Sequence, residues 1–367
     1  MATSIPTALI GFGFVGSTFH APYIACTEGL TLSLVSSRHP EQVAQVLAPF
    51  DCSPEVIASP EEAATHDAIE LVVIASPNQT HFALAKAALM AGKHVVVDKP
   101  FTLDSTEARE LAELAVKQGR LLSVFQNRRW DSDFLAIKGA LERNAIGPVI
   151  EMESRIDRFR PAVRDRWREH ALPGSGLWFD LGPHLADQAL VLFGLPDEIS
   201  ASIALTRPGA QANDWAQVTL HYQPNGERGP RHVLLHASML NAAPSQRFGL
   251  HGVEGSLVKQ QADIQEDQLR AGLSPLDESF GVDTDPLKHY DGDGNVEETG
   301  APVGCQIRYY EEIREAIKGD AANPVSPLQA VGLMTLLETA VHAAASGERS
   351  TLPVSAEERA AWQPIMP

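Results

Sequence analysis

The chain has 367 residues, 44% hydrophobic and 21% charged, with 29 Lys and Arg against 47 Asp and Glu for a net charge of -18. That length exceeds one ordinary core and predicts two domains, while the acidic balance excludes sequence-independent binding to nucleic acid or to an anionic membrane surface. The three scattered cysteines, Cys26, Cys52 and Cys305, make neither a metal spacing nor a disulfide framework, so no metal is expected and a reducing cytoplasm is the expected compartment.

The amino terminus, Met1 to Pro6, has no charged n-region and predicts no signal peptide. No apolar run reaches the length of a membrane span. Thr7 to Ile10 is a short apolar strand that feeds into Gly11-Phe12-Gly13-Phe14-Val15-Gly16, with a helix expected from Ser17. A glycine pattern between strand and helix predicts a dinucleotide site: the first glycine permits the turn, the second lets backbone approach a pyrophosphate, and the third packs helix on strand. Helix N-terminal amides then hold the phosphates.

The second strand, Leu30 to Val35, ends at Ser36-Ser37-Arg38, where an NAD site places a carboxylate on the ribose hydroxyl. No carboxylate stands there. Two hydroxyls and a permanently charged, forked guanidinium suit a 2′-phosphate, so NADP is preferred, with NAD as the alternative. A third buried strand, Ile69 to Ala75, leads to Ser76-Pro77-Asn78-Gln79-Thr80-His81, polar groups able to line the nicotinamide ribose or to cap the helix Phe82 to Ala91.

Val95 to Val97 form a strand apolar on both faces, and Asp98-Lys99-Pro100 emerges at its carboxyl end. In open α/β sheets the ligand crevice lies there, so Lys99 faces ligand. Pro100 biases the backbone of Lys99 toward extended geometry. A helix from Ser105 to Gln118 and a strand from Leu121 to Phe125 complete a doubly wound parallel sheet over residues 1–126.

Residues 127–367 change rhythm after Asn127-Arg128-Arg129-Trp130. Following a helix at Phe134 to Arg143, strands are expected at Val149 to Phe159, Ile199 to Leu205, Ala216 to Tyr222, Val233 to Met239, Arg247 to His251 and Ser256 to Lys259. They form an α+β domain on a large, mainly antiparallel open sheet. Helices cover one face; the other, expected to be bare and apolar, would pair subunits in a homodimer or homotetramer. Between strands, Gly174 to His184 leads into a helix at Leu185 to Phe193, with Pro183 in its first turn. Asp180 and His184, four apart, share a face at that entry. The arginines from Arg155 to Arg168 alternate with acids and predict ion pairs, Asp291 to Asn295 predicts a turn rather than a calcium loop, and helices at Gln306 to Ile317 and Leu328 to Ala345 close the chain and are candidates to pack back on the first domain.

Together, Gly11 to Gly16, Asp98-Lys99-Pro100 and the Gly176, Asp180, Gly182, His184 segment resemble the Gfo/Idh/MocA oxidoreductase family. The family more often carries Glu-Lys-Pro, and Asp98 preserves the charge. Ser36-Ser37-Arg38 and Asn127 to Trp130 look most like members that use NADP on inositols. The resemblance implies a Rossmann domain followed by an open-sheet domain, a catalytic set of Lys99, Asp180 and His184, and a cyclic polyol or sugar as substrate. It places the cofactor at Gly11, Phe12, Gly13, Phe14, Val15, Gly16, Ser36, Ser37, Arg38, Ser76, Pro77, Asn78, His81, Asp98, Lys99 and Asn127. It places the substrate at Lys99, Arg128, Asp157, Asp180 and His184. Two other uses of this architecture stay open: a nucleotide-binding sensor without turnover, and redox-neutral glycoside cleavage.

Overall fold

The computed structural model describes residues 4–224 and 229–365. Residues 1–3, part of the amino terminus assessed above, lie outside them. The chain divides into two units, the first made of Met1–Asn127, Gln265–Phe280 and Cys305–Val331, the second of the remaining segments. The expected division at 126 therefore needs two later segments returned to the first unit.

In the first unit, six parallel strands run in the order β3-β2-β1-β4-β5-β6. They are β1 (Ile5–Ile10), β2 (Leu30–Ser36), β3 (Glu55–Ile57), β4 (Leu71–Ile74), β5 (His94–Val97) and β6 (Leu122–Val124). Every residue of β4 and β5 is buried, as the unbroken Val and Ile runs demand of central strands covered on both faces. Crossover helices α2 (Pro40–Leu47), α3 (Pro60–Thr65), α4 (His81–Met90) and α5 (Ser105–Gln118) separate the strands. The last begins where Asp104 accepts from the backbone N–H of Thr106 and Glu107, and ends at Gly119 in the left-handed region, φ 60°. The chain after β1 winds as a π-turn, Gly16–His20, into α1 (Ala21–Cys26).

The returning segments bring α8 (Gln265–Arg270) and α9 (Arg308–Lys318). Gln306 anchors them: its Oε1 accepts from the Tyr23 hydroxyl at 2.9 Å and from Asn127 Nδ2 at 2.8 Å. Tyr309 and Tyr310 are fully buried beside Phe125.

The second unit is built on a nine-stranded sheet, β14-β13-β12-β11-β7-β10-β9-β8-β15. Its longer strands are β7 (Val149–Asp157), β8 (Glu198–Ala204), β9 (Trp215–Tyr222), β10 (Arg231–Ser238), β11 (Phe248–Gly252) and β12 (Gly255–Lys259); β13 (Leu287–Asp291), β14 (Val296–Thr299) and β15 (Ser350–Thr351) extend the edges. Helix α6 (Ser132–Glu142) precedes β7, and among the described residues all strand pairs in this sheet are antiparallel except β10 with β7. On β7, β9 and β10, Met152, Ser154, Val218, Leu220, Val233 and Leu235 are buried on one face, which packs against α7 (Gly176–Phe193). The opposite face carries Glu151, Glu153, Arg155, Asp157, Gln217, Thr219, His232 and His236. Apart from Leu234 and Trp215 it is polar rather than apolar, because side chains alternate between the two faces with period two. Asp291 closes the β13–β14 turn by accepting from the N–H of Asp293 and Asn295, each at 2.9 Å.

Helix α10 (Pro327–Ser346) is long and apolar enough to cross a membrane, against the expectation that no run would be, yet 61% of its apolar stretch is buried within the protein. That burial is the behaviour of a core helix.

Candidate active site

The glycine loop follows β1 at the carboxyl edge of the first unit's sheet, and the Ser76 loop follows the adjacent β4. This is the point where the strand order reverses, the position of the ligand crevice in such sheets. Gly11 has φ 94°, and a Cβ there would lie 2.7 Å from Ala75 O; a Cβ on Gly16 would strike Gly11 O. A Cβ on Gly13 would meet nothing within 4 Å. Two glycines are thus demanded by packing, and the middle one keeps backbone bare toward open space, which fits a dinucleotide phosphate. Phe12 and Ser36 are buried, Val15 and Ser37 half-buried, and Phe14 and Arg38 exposed.

Beyond Ser76 and Pro77, Asn78 is buried in a short 3₁₀ turn, and the Ser76 and Thr80 hydroxyls lie 2.6 Å apart. His81 corrects its sequence assignment. It is fully buried, with Nε2 2.9 Å from Ser76 O and Nδ1 3.0 Å from Pro100 O. It braces the Ser76 loop to the Lys99–Pro100 turn, whose peptide bond is cis, rather than facing a cofactor. Burial lowers the ring's pKa against the opposing pull of Asp98 and the carbonyls.

Lys99 stands two residues after the end of β5, half-buried, preceded by the buried Asp98. Burial pushes the Asp98 carboxyl up, but His20, Lys99 and His81 outweigh it and hold its pKa below the usual value. His20 Nε2 stands 3.8 Å from Asp98 Oδ1, beyond the length of an ordinary hydrogen bond. His20 carries little local sequence signal, one more polar side chain after Ser17 and Thr18 in the same helical stretch. Asn127, anchored to Gln306, is buried as part of the same unit's frame.

In the second unit, α7 starts at Gly176, nine residues before the expected start, so Asp180 and His184 stand one turn apart inside the helix and Pro183 is interior rather than in the first turn. Asn213 explains the early start: its backbone O accepts from Leu177 N at 2.7 Å and its Oδ1 from Trp178 N at 2.8 Å, satisfying two orphan donors. His184 is buried and Asp180 partly open, with Arg168 Nε 3.5 Å from its Oδ1. Arg166, Arg168, Arg207, Glu169, Asp180 and Asp214 line a cleft of about 270 Å³, counting space open to solvent. Arg207 is neutralised by Glu169 and Asp214, each 2.8 Å away, and Arg166 by Glu169 at 3.0 Å. The expected ion pairing of this arginine run is present, and Arg168 is the member that meets Asp180.

Two residues assigned to substrate are otherwise engaged. Asp157 accepts from His236 Nδ1, Asn241, Ser245 and Arg155 at 2.8–3.0 Å, and these bonds hold its pKa far below the ordinary range despite its burial. With both oxygens occupied on the polar sheet face, it organises that face. Arg128 donates from Nη1 to the buried Asp131 at 2.9 Å, while its carbonyl accepts from Gln188.

Residues 5–126 match the family model for the NAD-binding Rossmann fold of the Gfo/Idh/MocA oxidoreductases, and residues 138–354 match that family's C-terminal alpha/beta domain. The chain is 47% identical to the oxidoreductase YdgJ of Escherichia coli K12, over 94% of this chain and 97% of that one. It is 33% identical to the scyllo-inositol 2-dehydrogenase (NADP(+)) IolW of Bacillus subtilis, over 95% and 96%. A crystal structure of an oxidoreductase from Klebsiella pneumoniae superposes with TM-score 0.90 at 51% identity, covering 98% of both chains. With glycine loop, lysine turn and open-sheet domain all in place, this chain belongs to the Gfo/Idh/MocA oxidoreductase family.

Proposed function

We propose that the chain is an NADP-preferring dehydrogenase that oxidises, reversibly, a secondary alcohol of a cyclic polyol or sugar, with inositols as the first class to try. The observation that carries this is Lys99, a cation leaving β5 at the same sheet edge as the bare backbone of Gly13. The nicotinamide, when bound, supplies or accepts the hydride. Alkoxide formation near neutral pH then needs a cation and a base from the protein. Lys99 is assigned to hydrogen-bond the reacting hydroxyl and stabilise its developing charge. His184 is assigned as base in oxidation and acid in reduction, and Asp180, on the same helix face, as the group that orients substrate and proton.

Ser36, Ser37 and the exposed Arg38 at the carboxyl end of β2 support NADP over NAD, and likeness to an NADP(+)-dependent inositol dehydrogenase supports both cofactor and substrate class. We further infer a homodimer or homotetramer formed through the polar face of the nine-stranded sheet, in the cytoplasm. The test is incubation with a panel of inositols, other cyclic polyols and sugars, with NADP and NAD in parallel, followed by absorbance of the reduced nicotinamide. Net reduction of NADP by a ring alcohol is the expected result. Tight cofactor binding without absorbance change across the panel points to a sensor, and glycoside release without net change to redox-neutral cleavage; either overturns the dehydrogenase assignment.

A further inference from the structure

Behind the Asp98–Lys99 turn lies a buried polar chain that the assignments above leave unused. His20 ends the π-turn after the glycine loop, and both its side chain and that of Tyr310 on α9 are fully buried. The Tyr310 hydroxyl is 2.5 Å from His20 Nδ1. Burial, helped by Tyr309 and Asp98, pushes the Tyr310 pKa well above its usual value, so the hydroxyl keeps its proton and donates it. A ring that accepts at Nδ1 carries its own proton at Nε2. That Nε2 makes no hydrogen bond, and the polar group near it is Asp98, 3.8 Å away. Buried donors are rarely left unmet, and one aimed at a carboxylate beside a reactive lysine calls for a function. A π-turn at this position has the same import, since such turns concentrate at functional sites.

The motif itself points the same way. Asp98 stands where the family more often has glutamate, so its carboxylate is one methylene shorter. Asp98 is faced by His20, Lys99 and His81, with Tyr310 acting at longer range; His20 is faced by Asp98 and Tyr310, and by the uncharged ring of Phe125 at 4.2 Å between centroids.

We propose that His20 is a positioning residue: with its tautomer set by Tyr310, it turns Asp98 and keeps it a carboxylate, and Asp98 in turn holds Lys99 for the reaction. The part concerning Lys99 rests on the dehydrogenase assignment; the His20–Asp98 coupling does not.

The primary test is a double-mutant cycle on the full chain, read as the folding equilibrium constant from urea unfolding at pH 7. H20Q is expected to lower that constant at least tenfold more on the wild-type background than on the D98N background. Equal losses on both backgrounds overturn the proposal. Y310F, which deletes one oxygen and keeps the ring, gives the same inequality if H20Q does not fold. The kinetic arm uses any substrate found by the panel. H20Q and Y310F should lower kcat about tenfold, leave the Kd for NADPH within about twofold, and move the acid limb of kcat to higher pH as Asp98 takes up its proton more readily. A uniform loss with the acid limb unmoved makes His20 a packing residue and overturns the link to Lys99. Coupling in the cycle from a chain that turns over no substrate supports the His20–Asp98 contact and refutes the dehydrogenase assignment instead.

Discussion

Arg129 and Asp187 meet in a two-pronged ion pair, Nε to Oδ2 at 2.8 Å and Nη2 to Oδ1 at 2.7 Å, with both side chains almost wholly buried and Trp362 lying across the guanidinium at 5.4 Å. The Asn127 to Trp130 segment, which by resemblance marks the site, thus contains a strut. Breaking a buried pair from one side strands the other charge, at a cost of about 3–5 kcal/mol. Arg129→Ala should therefore lower the unfolding free energy by an amount in that range, read as a lower urea midpoint with the slope unchanged. A loss below about 1 kcal/mol would show that the pair contributes little to the fold.

Arg38 carries the cofactor preference. Loss of a charge-assisted contact to the 2′-phosphate costs roughly 1.5–3 kcal/mol, which is about ten- to a hundredfold in Kd. Arg38→Ala should weaken NADPH by that factor and leave NADH nearly unchanged, as read by quenching of protein fluorescence. Equal weakening of both cofactors contradicts the assignment.

The Rossmann unit was legible because its signals are local: unbroken apolar strands, a glycine loop after the first, and helical stretches between the strands. What escaped rests on partners far away in the chain. The start of α7 is set by Asn213, 35 residues from Trp178, and the Gln306 bond that anchors the expected return of α9 reaches Tyr23, 283 residues away. The polar sheet face is a different case. Glu151, Glu153, Arg155 and Asp157 already alternate with Met152 and Ser154 in the sequence, and the period-two pattern names the face they share. Of the site, Lys99 and the glycines were placed by position at strand ends, whereas the engagement of His81 and Asp157 depends on donors and acceptors that no spacing reveals.

His94 makes acid stability titrate. Its Nδ1 accepts from Leu121 N at 3.0 Å, and burial, then Arg120, lowers its pKa from 6.5 to about 4. The unfolded chain binds this proton below pH ~6.5 and the folded chain resists it until about 4. The contribution is therefore complete above the unfolded value and is lost as pH falls through that window. Allowing for partial solvent screening, the loss is about 1–2 kcal/mol. His94→Asn, which keeps an acceptor for Leu121, should show a shallower decline than wild type between pH 6.5 and 4. Parallel stability curves would contradict it.

Assembly through a polar face has a salt signature. Light scattering at micromolar concentration should give two or four times 39.6 kDa, and the assembly should loosen as salt rises, because exposed and half-buried charges are screened. Glu153 and Arg155, paired at 2.6 Å on that face, are the residues to invert. A 39.6 kDa particle at low salt would contradict the assembly.

The measurement that bears most directly on the central assignment is steady-state turnover of the best ring alcohol by Lys99→Ala and His184→Ala, with NADPH affinity and folding measured on the same preparations. A positioned cation or acid–base group contributes about 10²-fold or more to kcat. Both variants should lose at least that much while folding normally and changing NADPH affinity far less. Near-normal kcat in both folded variants would contradict the account and leave the two motifs as structural elements of the family's fold.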